Sequence, residues 1–363
     1  MLKFADYAKI ETSSVIERLT NIKSDLNIVF IPDLHYKYID EMRVSVSNIV
    51  NSVNTVNKTH KIDCVVLGGD NIGNYPESRD EHIKMTDELA NYLDFLDVPW
   101  FCVLGNHDDN SIHCTDNPGL SAVFKHGNEV TTKEQYDHLF SRQIKYGYIK
   151  GYEEFPLYGY YDVPNKNYRL LFLDSFDLPD IVENGQLIYG RQWKGAYSDN
   201  QLNWLIHTAL SDDCNKDIII FKHTPLSIMY DPNSDIDIYN EDALIEILNS
   251  YINGTSLYKT GSDNNRLNYE IKAEYKNTHN IKALITGHIH SDSHGFTDNI
   301  LNITTNCACR DPKGLGTDEK GNHLFKIPYS RNETCYDIYC FNDEEINLIR
   351  YGTGEDRKIR LHP

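Results

Sequence analysis

The sequence lacks any run approaching the ~18 apolar residues that a membrane-spanning helix needs. Its first 25 residues also lack the basic stretch and the apolar stretch of a secretion signal, although Val15, Ile16, Leu19 and Ile22 recur there at helical spacing. Residence in the cytoplasm, away from any membrane, is the expectation. Positive charge is scarce as well: 35 Lys and Arg face 54 Asp and Glu, for a net charge of −19 and a pI near 5.1. With no Lys/Arg cluster to escape that average, general attraction to nucleic acid or anionic lipid is excluded, because both are bound chiefly through Lys and Arg. Zinc-type cysteine spacing is missing too. Cys64 and Cys102 sit inside apolar runs and read as reduced, buried residues, while Cys307-Ala308-Cys309, followed by Cys335 and Cys340, does not have the spacing of a structural zinc site. The sequons at Asn57, Asn253, Asn302 and Asn332 carry no weight without a secretion signal.

What the chain does have is five short polar stretches, in order: Asp33-Leu34-His35, Gly69-Asp70-Asn71, Gly105-Asn106-His107-Asp108, Lys222-His223 and Gly287-His288-Ile289-His290. They bring three carboxylates, two asparagine amides and five imidazoles. This mixed oxygen and nitrogen set suits first-row divalent metals, and it is large enough for two ions. Each stretch follows an apolar, strand-length run: 27–31 (NIVFI), 64–67 (CVVL), 100–104 (WFCVL), 217–221 (DIIIF) and 281–286 (IKALIT). All the candidate ligands would therefore lie at the carboxyl ends of strands, the edge at which open α/β sheets build their sites. Any one stretch occurs in ordinary turns, and a lone histidine such as His223 is more often structural; the ordered set of five carries the metal reading.

The pattern resembles the calcineurin-like metallophosphoesterase superfamily over roughly residues 27–294, and within it the branch that holds class III cyclic-nucleotide phosphodiesterases and glycerophosphodiesterases. The resemblance implies a four-layer α/β/β/α sandwich of two mixed sheets and a dinuclear centre of divalent ions, Mn, Fe or Zn. By the same resemblance one ion would take Asp33, His35 and His290 and the other Asn106, His223 and His288, with Asp70 bridging them and His107 acting outside the ligand set as proton donor or leaving-group stabiliser. Departures separate neighbouring branches. Purple acid phosphatases place glycine at the position of His35 and a ligand tyrosine where this chain has Gly73. The Ser/Thr protein phosphatases carry arginine soon after Gly-Asp and glutamate at the position of Asp108. The resemblance implies metal-dependent hydrolysis of small phosphodiesters; a phosphomonoesterase, nucleotidase or nuclease would share every ligand, and a protein-binding scaffold is the reading from another class. No ligand is missing here, which disfavours the scaffold. The long carboxy-terminal substrate domain of 5′-nucleotidases is absent from this sequence, and the acidic balance disfavours a DNA nuclease.

At 363 residues, with 40% hydrophobic content, the chain can bury one large core, so residues 1–363 are expected to form a single domain. Helical stripes at Val44, Ile49, Val53, Val56 and at Ile83, Ala90, Leu93, Leu96 separate the first three strands, which predicts β-α-β-α-β and a parallel sheet. A hairpin is expected over 158–163 and 168–174, and a capping box at Ser198 and Gln201. Residues 295–363 alternate strand-like runs with turns and are expected to complete the second sheet. Residues 109–157 lack a clean period. They read either as a cap whose Tyr146, Tyr148 and Tyr152 stack on a substrate or, preferably, as a loop whose rings fill a satellite core. Arg191, Arg310 and Arg357 are candidate phosphate clamps, and His294 lies close enough to His290 in sequence to line the site.

Overall fold

In the computed structural model the described residues are 2–73, 78–116, 123–226, 236–262, 266–310 and 316–361. Asn74, residues 117–122 of the 109–157 insertion, and residues 311–315 and 362–363 of the tail lie outside them.

Three parallel strands open the fold: β1 (Leu26–Ile31), β2 (Cys64–Gly68) and β3 (Trp100–Val103). Period-2 alternation divides each between two apolar surroundings. Leu26, Ile28 and Phe30 enter the core between the sheets, whereas Val29 and Ile31 pack under helices. Both faces are covered, so β1 reads as a continuous apolar run. The helices on that outer face are α1 (Asp6–Leu19), α2 (Asp40–Asn57) and α3 (Arg79–Leu93).

The second sheet takes β4 (Ile149–Lys150), β5 (Gly159–Asp162), β6 (Tyr168–Phe172), β7 (Asp217–Phe221), β8 (Ile281–Thr286), β9 (Ser293–Thr297) and β10 (Ile300–Thr304), in the order β9-β10-β8-β7-β6-β5-β4. Phe172, Phe221 and Ile285 face the first sheet. A further helix, α4 (Thr132–His138), packs beside α3, while Leu171, Ile220 and Leu284 face outward against α5 (Asp199–Trp204) and α6 (Glu241–Asn253). Helix, sheet, sheet and helix layers therefore stack as the four-layer sandwich, and each sheet mixes parallel and antiparallel pairs. No helix among the described residues is long and apolar enough to cross a membrane.

The tail corrects one expectation. Only β9 and β10 join the second sheet. β11 (Cys335–Phe341), β12 (Glu345–Gly352) and β13 (Arg357–Arg360) extend the first, in the order β13-β12-β11-β1-β2-β3, with β11 antiparallel to β1. The cause is that β11 is buried on both sides. Tyr336, Ile338 and Cys340 meet the helices and Tyr339 and Phe341 meet the inner core, a pattern only an interior position satisfies. The motif-bearing strands are consequently divided, three in one sheet and two in the other.

The 109–157 segment supplies α4 and the edge strand β4. Tyr148 is buried in the inner core beside Phe101 and Phe172, and Tyr146 packs on Trp100 and Phe101, so these two rings fill core; Tyr152 is exposed and hydrogen-bonds Thr208. Ser198 caps α5 by accepting from Gln201 N, but the return bond of a capping box is not made. Gln201 instead grips the backbone of Asp174, accepting from its N at 2.9 Å and donating to its carbonyl at 3.0 Å.

Candidate metal centre

β1, β2 and β8 end in loops that must turn at once, and the backbone shows it. Asp33, His35, Asp70, His288 and His290 all have φ between 47° and 68°. Left-handed backbone is uncommon for residues with a Cβ, although Asp, Asn and His adopt it more readily than most. Glycines make the approach possible. A Cβ on Gly105 would stand 2.1 Å from Asp70 Oδ1, one on Gly69 2.4 Å from His223 Nδ1, and one on Gly287 2.3 Å from Asp33 Oδ2.

Asp70 lies at the middle. Its Oδ1 accepts from His107 N at 2.9 Å and sits 3.5 Å from His223 Nε2, while Oδ2 is 3.6 Å from both His35 Nε2 and His107 Nε2. On one side, the donor atoms of Asp33, His35, Asp70 and His290 lie within 4.8 Å of one another; on the other, those of Asp70, His223 and His288 do the same. Asn106 Oδ1 is 3.3 Å from His223 Nε2, and its Nδ2 donates to Gln192 O at 3.4 Å. All seven residues singled out as ligands are thus gathered around one carboxylate, with His107 beside them, one-fifth exposed.

The donor set fits divalent cations. His223 Nδ1 donates to Gly68 O at 2.8 Å, which leaves Nε2 facing His288 Nδ1 at 3.2 Å, where a bound cation would displace the proton it carries. His35 Nε2 meets His290 Nε2 at 3.3 Å in the same fashion. Ring nitrogens converging in this way can share a cation once their protons leave. Electrostatics point the same way. Burial opposes charge on Asp70, yet the imidazoles of His107 and His223 prevail and hold its carboxyl well below the usual range. Burial likewise opposes a proton on His223, but Asp70 and Asp33 lift it to about 9. His35, pushed down to about 3 by burial, stays neutral, as does His288, also lowered by burial and by its cationic neighbour His223. Burial raises Asp33 above its usual value, and the imidazolium of His223 offsets the charge of Asp70, the part a bound cation would take over.

Asp108 ties the loops together. It accepts from Gly105 N at 2.8 Å, Ile72 N at 2.9 Å and Asn71 Nδ2 at 3.0 Å, and Asn71 also donates to Val103 O. Burial and the charge of Asp70 raise it to about 7.

The basic candidates are placed otherwise. Arg191 is buried, its guanidinium donating to Phe176 O, Leu178 O and Thr132 Oγ1, so it braces main chain and is no phosphate clamp. Arg357 donates to Asp337 and to Thr304 O in a buried ion-pair group with Arg350. His294 pairs with Glu319 at 2.8 Å, and Arg310 lies over the ring of Tyr329. Sequence reasoning missed a different group: Cys307 and Cys309 lie with His290, all three donor atoms within 4.8 Å of one another. Their Cys-x-Cys spacing was the available signal, weighed only for a remote zinc site with Cys335 and Cys340. All eight cysteines are free and buried.

Comparison with known proteins agrees with this geometry. The family model described as calcineurin-like phosphoesterase matches residues 26–292. No curated protein sequence matches the chain. Among solved structures, a dimetal phosphatase from Danio rerio superposes with a TM-score of 0.58 at 16% identity, over 93% of this chain and 100% of that one, a likeness of fold. Looser likenesses include GAP50, the anchor in the inner membrane complex of Plasmodium (TM-score 0.47, 11% identity, 94% and 90% covered), and a Haemophilus influenzae NAD nucleotidase (0.40, 11%, 92% and 50%). With the family model covering well over half of its length, the chain belongs to the calcineurin-like phosphoesterases.

Proposed function

We propose that the protein hydrolyses small phosphodiesters at a dinuclear centre held by Asp33, His35, Asp70, Asn106, His223, His288 and His290. The observation that carries this reading is the position of Asp70, whose carboxylate belongs to both donor groups and has one oxygen for each side. Two divalent cations, Mn, Fe or Zn by the donor types, supply when bound the Lewis acidity that phosphoryl transfer needs. The chain's own residues do the rest. Asn106 contributes an oxygen without adding negative charge. His107, anchored through its backbone N on Asp70 and partly exposed, is placed to hand a proton to the departing oxygen. An excess of acidic residues leaves the centre itself as the attraction for an anionic substrate. Eight free cysteines suit a reducing compartment and support residence in the cytoplasm.

Metal analysis paired with hydrolysis of bis- and mono-p-nitrophenyl phosphate tests the proposal. Two bound ions and faster turnover of the diester are expected. Faster turnover of the monoester would make the protein a phosphomonoesterase, and two tightly bound ions with no turnover of either would favour a scaffold.

A further inference from the structure

The loop that follows β10 is locked beneath the candidate centre. Thr305 N donates to Thr286 O at 3.1 Å and Ala308 N to Pro32 O at 2.8 Å, so the loop joins the ends of β8 and β1. Asn306 Nδ2 donates to His290 O at 2.8 Å, and Asn306 N to Asp292 Oδ1 at 2.9 Å, which fixes the left-handed backbone of His290. Immediately beyond, the fully buried Cys307 brings its sulfur within 4.8 Å of a ring nitrogen of His290.

Two donors converge on that sulfur: Lys326 Nζ at 3.0 Å and Cys309 Sγ at 3.2 Å. Lys326 is itself buried and also donates to Asn306 Oδ1 at 3.0 Å. An ammonium this close disfavours a cation bound between the two sulfurs, so the cluster is not a separate metal site. It favours an electron-rich sulfur that accepts. His290, for its part, turns Nε2 toward His35 Nε2 at 3.3 Å and Asp33 Oδ1 at 3.5 Å. An imidazole whose one nitrogen faces an ion carries its proton on the other, and that proton needs an acceptor.

We infer that Cys307 is a positioning residue, its sulfur accepting the ring N–H of His290 and so setting the tautomer and aim of the nitrogen offered to an ion. The role normally falls to a carboxylate or a carbonyl; here a sulfur steadied by Lys326 and Cys309 fills it. The inference rests on the dinuclear reading of the centre, and its test separates the two.

Full-length protein is titrated with Zn²⁺ against a competing chelator, as wild type, Cys307→Ala, Cys307→Asp and His290→Ala. Cys307→Ala should weaken by about 10–100-fold the same ion that His290→Ala weakens, the usual effect of losing an outer partner of a ligand histidine, and leave the other ion unchanged. Cys307→Asp, which restores an acceptor, should recover most of the loss. Wild type that takes up no stoichiometric zinc overturns both readings. Two ions held as tightly by Cys307→Ala as by wild type overturn this inference alone. Two measurements need no substitution: ring-nitrogen NMR of the zinc-loaded wild type should show a slowly exchanging proton on His290, and a fast-exchanging one counts against the bond. A thiolate-to-cobalt charge-transfer band in the cobalt-loaded protein would show that the sulfur binds the ion directly, and would also overturn the inference.

Discussion

The backbone N–H of His288 donates to both carboxylate oxygens of Asp33, at 2.9 and 3.1 Å, across 255 residues of chain and from one sheet to the other. Asp33 is thereby oriented by a group that cannot titrate, and its remaining acceptor capacity faces His290. The bond requires Gly287 next to it.

Gly287→Ala tests that requirement. The added methyl would stand 2.3 Å from Asp33 Oδ2, so the carboxylate must move. We expect a loss of about 1–3 kcal/mol in stability, the usual scale of overpacking, together with weakened binding of one ion. Denaturant unfolding and metal analysis read both; a variant with unchanged metal content and stability would show that the two loops have slack.

Asp70→Asn addresses the bridge. An amide keeps the size and one acceptor oxygen but loses the charge that both donor groups share. Occupancy by two ions should fall and turnover collapse. Two tightly held ions with wild-type turnover in this variant would remove Asp70 from the bridging position.

His107→Ala addresses proton delivery. If His107 protonates the departing oxygen without binding an ion, metal content stays constant while esters with poor, alkoxide-like leaving groups slow by about 10²–10⁴-fold. Activated p-nitrophenyl esters should suffer less. Equal losses on both, or loss of metal, would make His107 a ligand or an orienting group.

Asp174 governs a pH dependence of stability. Burial, and Asp177 beside it, raise Asp174 from 3.8 to about 8. The folded chain therefore keeps a proton that the unfolded chain has released above pH 3.8, and the stabilising contribution of this group falls as pH rises from about 4 through about 8. Asp174→Asn retains an oxygen for Phe176 N, which donates to Asp174 Oδ1 at 2.8 Å, and abolishes the titration. Chemical denaturation should find the variant gaining on wild type between pH 5 and pH 8. A constant difference between the two proteins across that range would mean that Asp174 titrates as an ordinary carboxyl.

Much of this architecture was legible in the residues. The five motif strands begin and end within a residue or so of their apolar runs, because β-branched stretches bounded by Gly, Asp and Pro leave little freedom. The ligand set was legible for a related reason, since paired donors such as His288 and His290 are hard to explain singly. Which sheet received β11 was not legible: alternation shows that Tyr336, Ile338 and Cys340 share a face, but not that their strand lies beside β1. Arg191 misled because charge announces a donor without naming its acceptor, here three groups in a buried pocket. Cys307 was passed over because its relation to His290 depends on Asn306 and Pro32, contacts that spacing cannot show.

The insertion of β11 beside β1 has a consequence for the order in which the protein is made. As the nascent chain emerges, β1, β2 and β3 can assemble with their helices, but the free edge of β1 stays open until Cys335–Phe341 arrives. More than 300 residues of synthesis separate the two partners, so this pairing is among the least local in the molecule. Until then an apolar strand edge is offered to any neighbouring chain, a known route to aggregation. Interrupting translation before that strand emerges would therefore leave sticky ribosome-bound intermediates, even though every proposed ligand had already been synthesised.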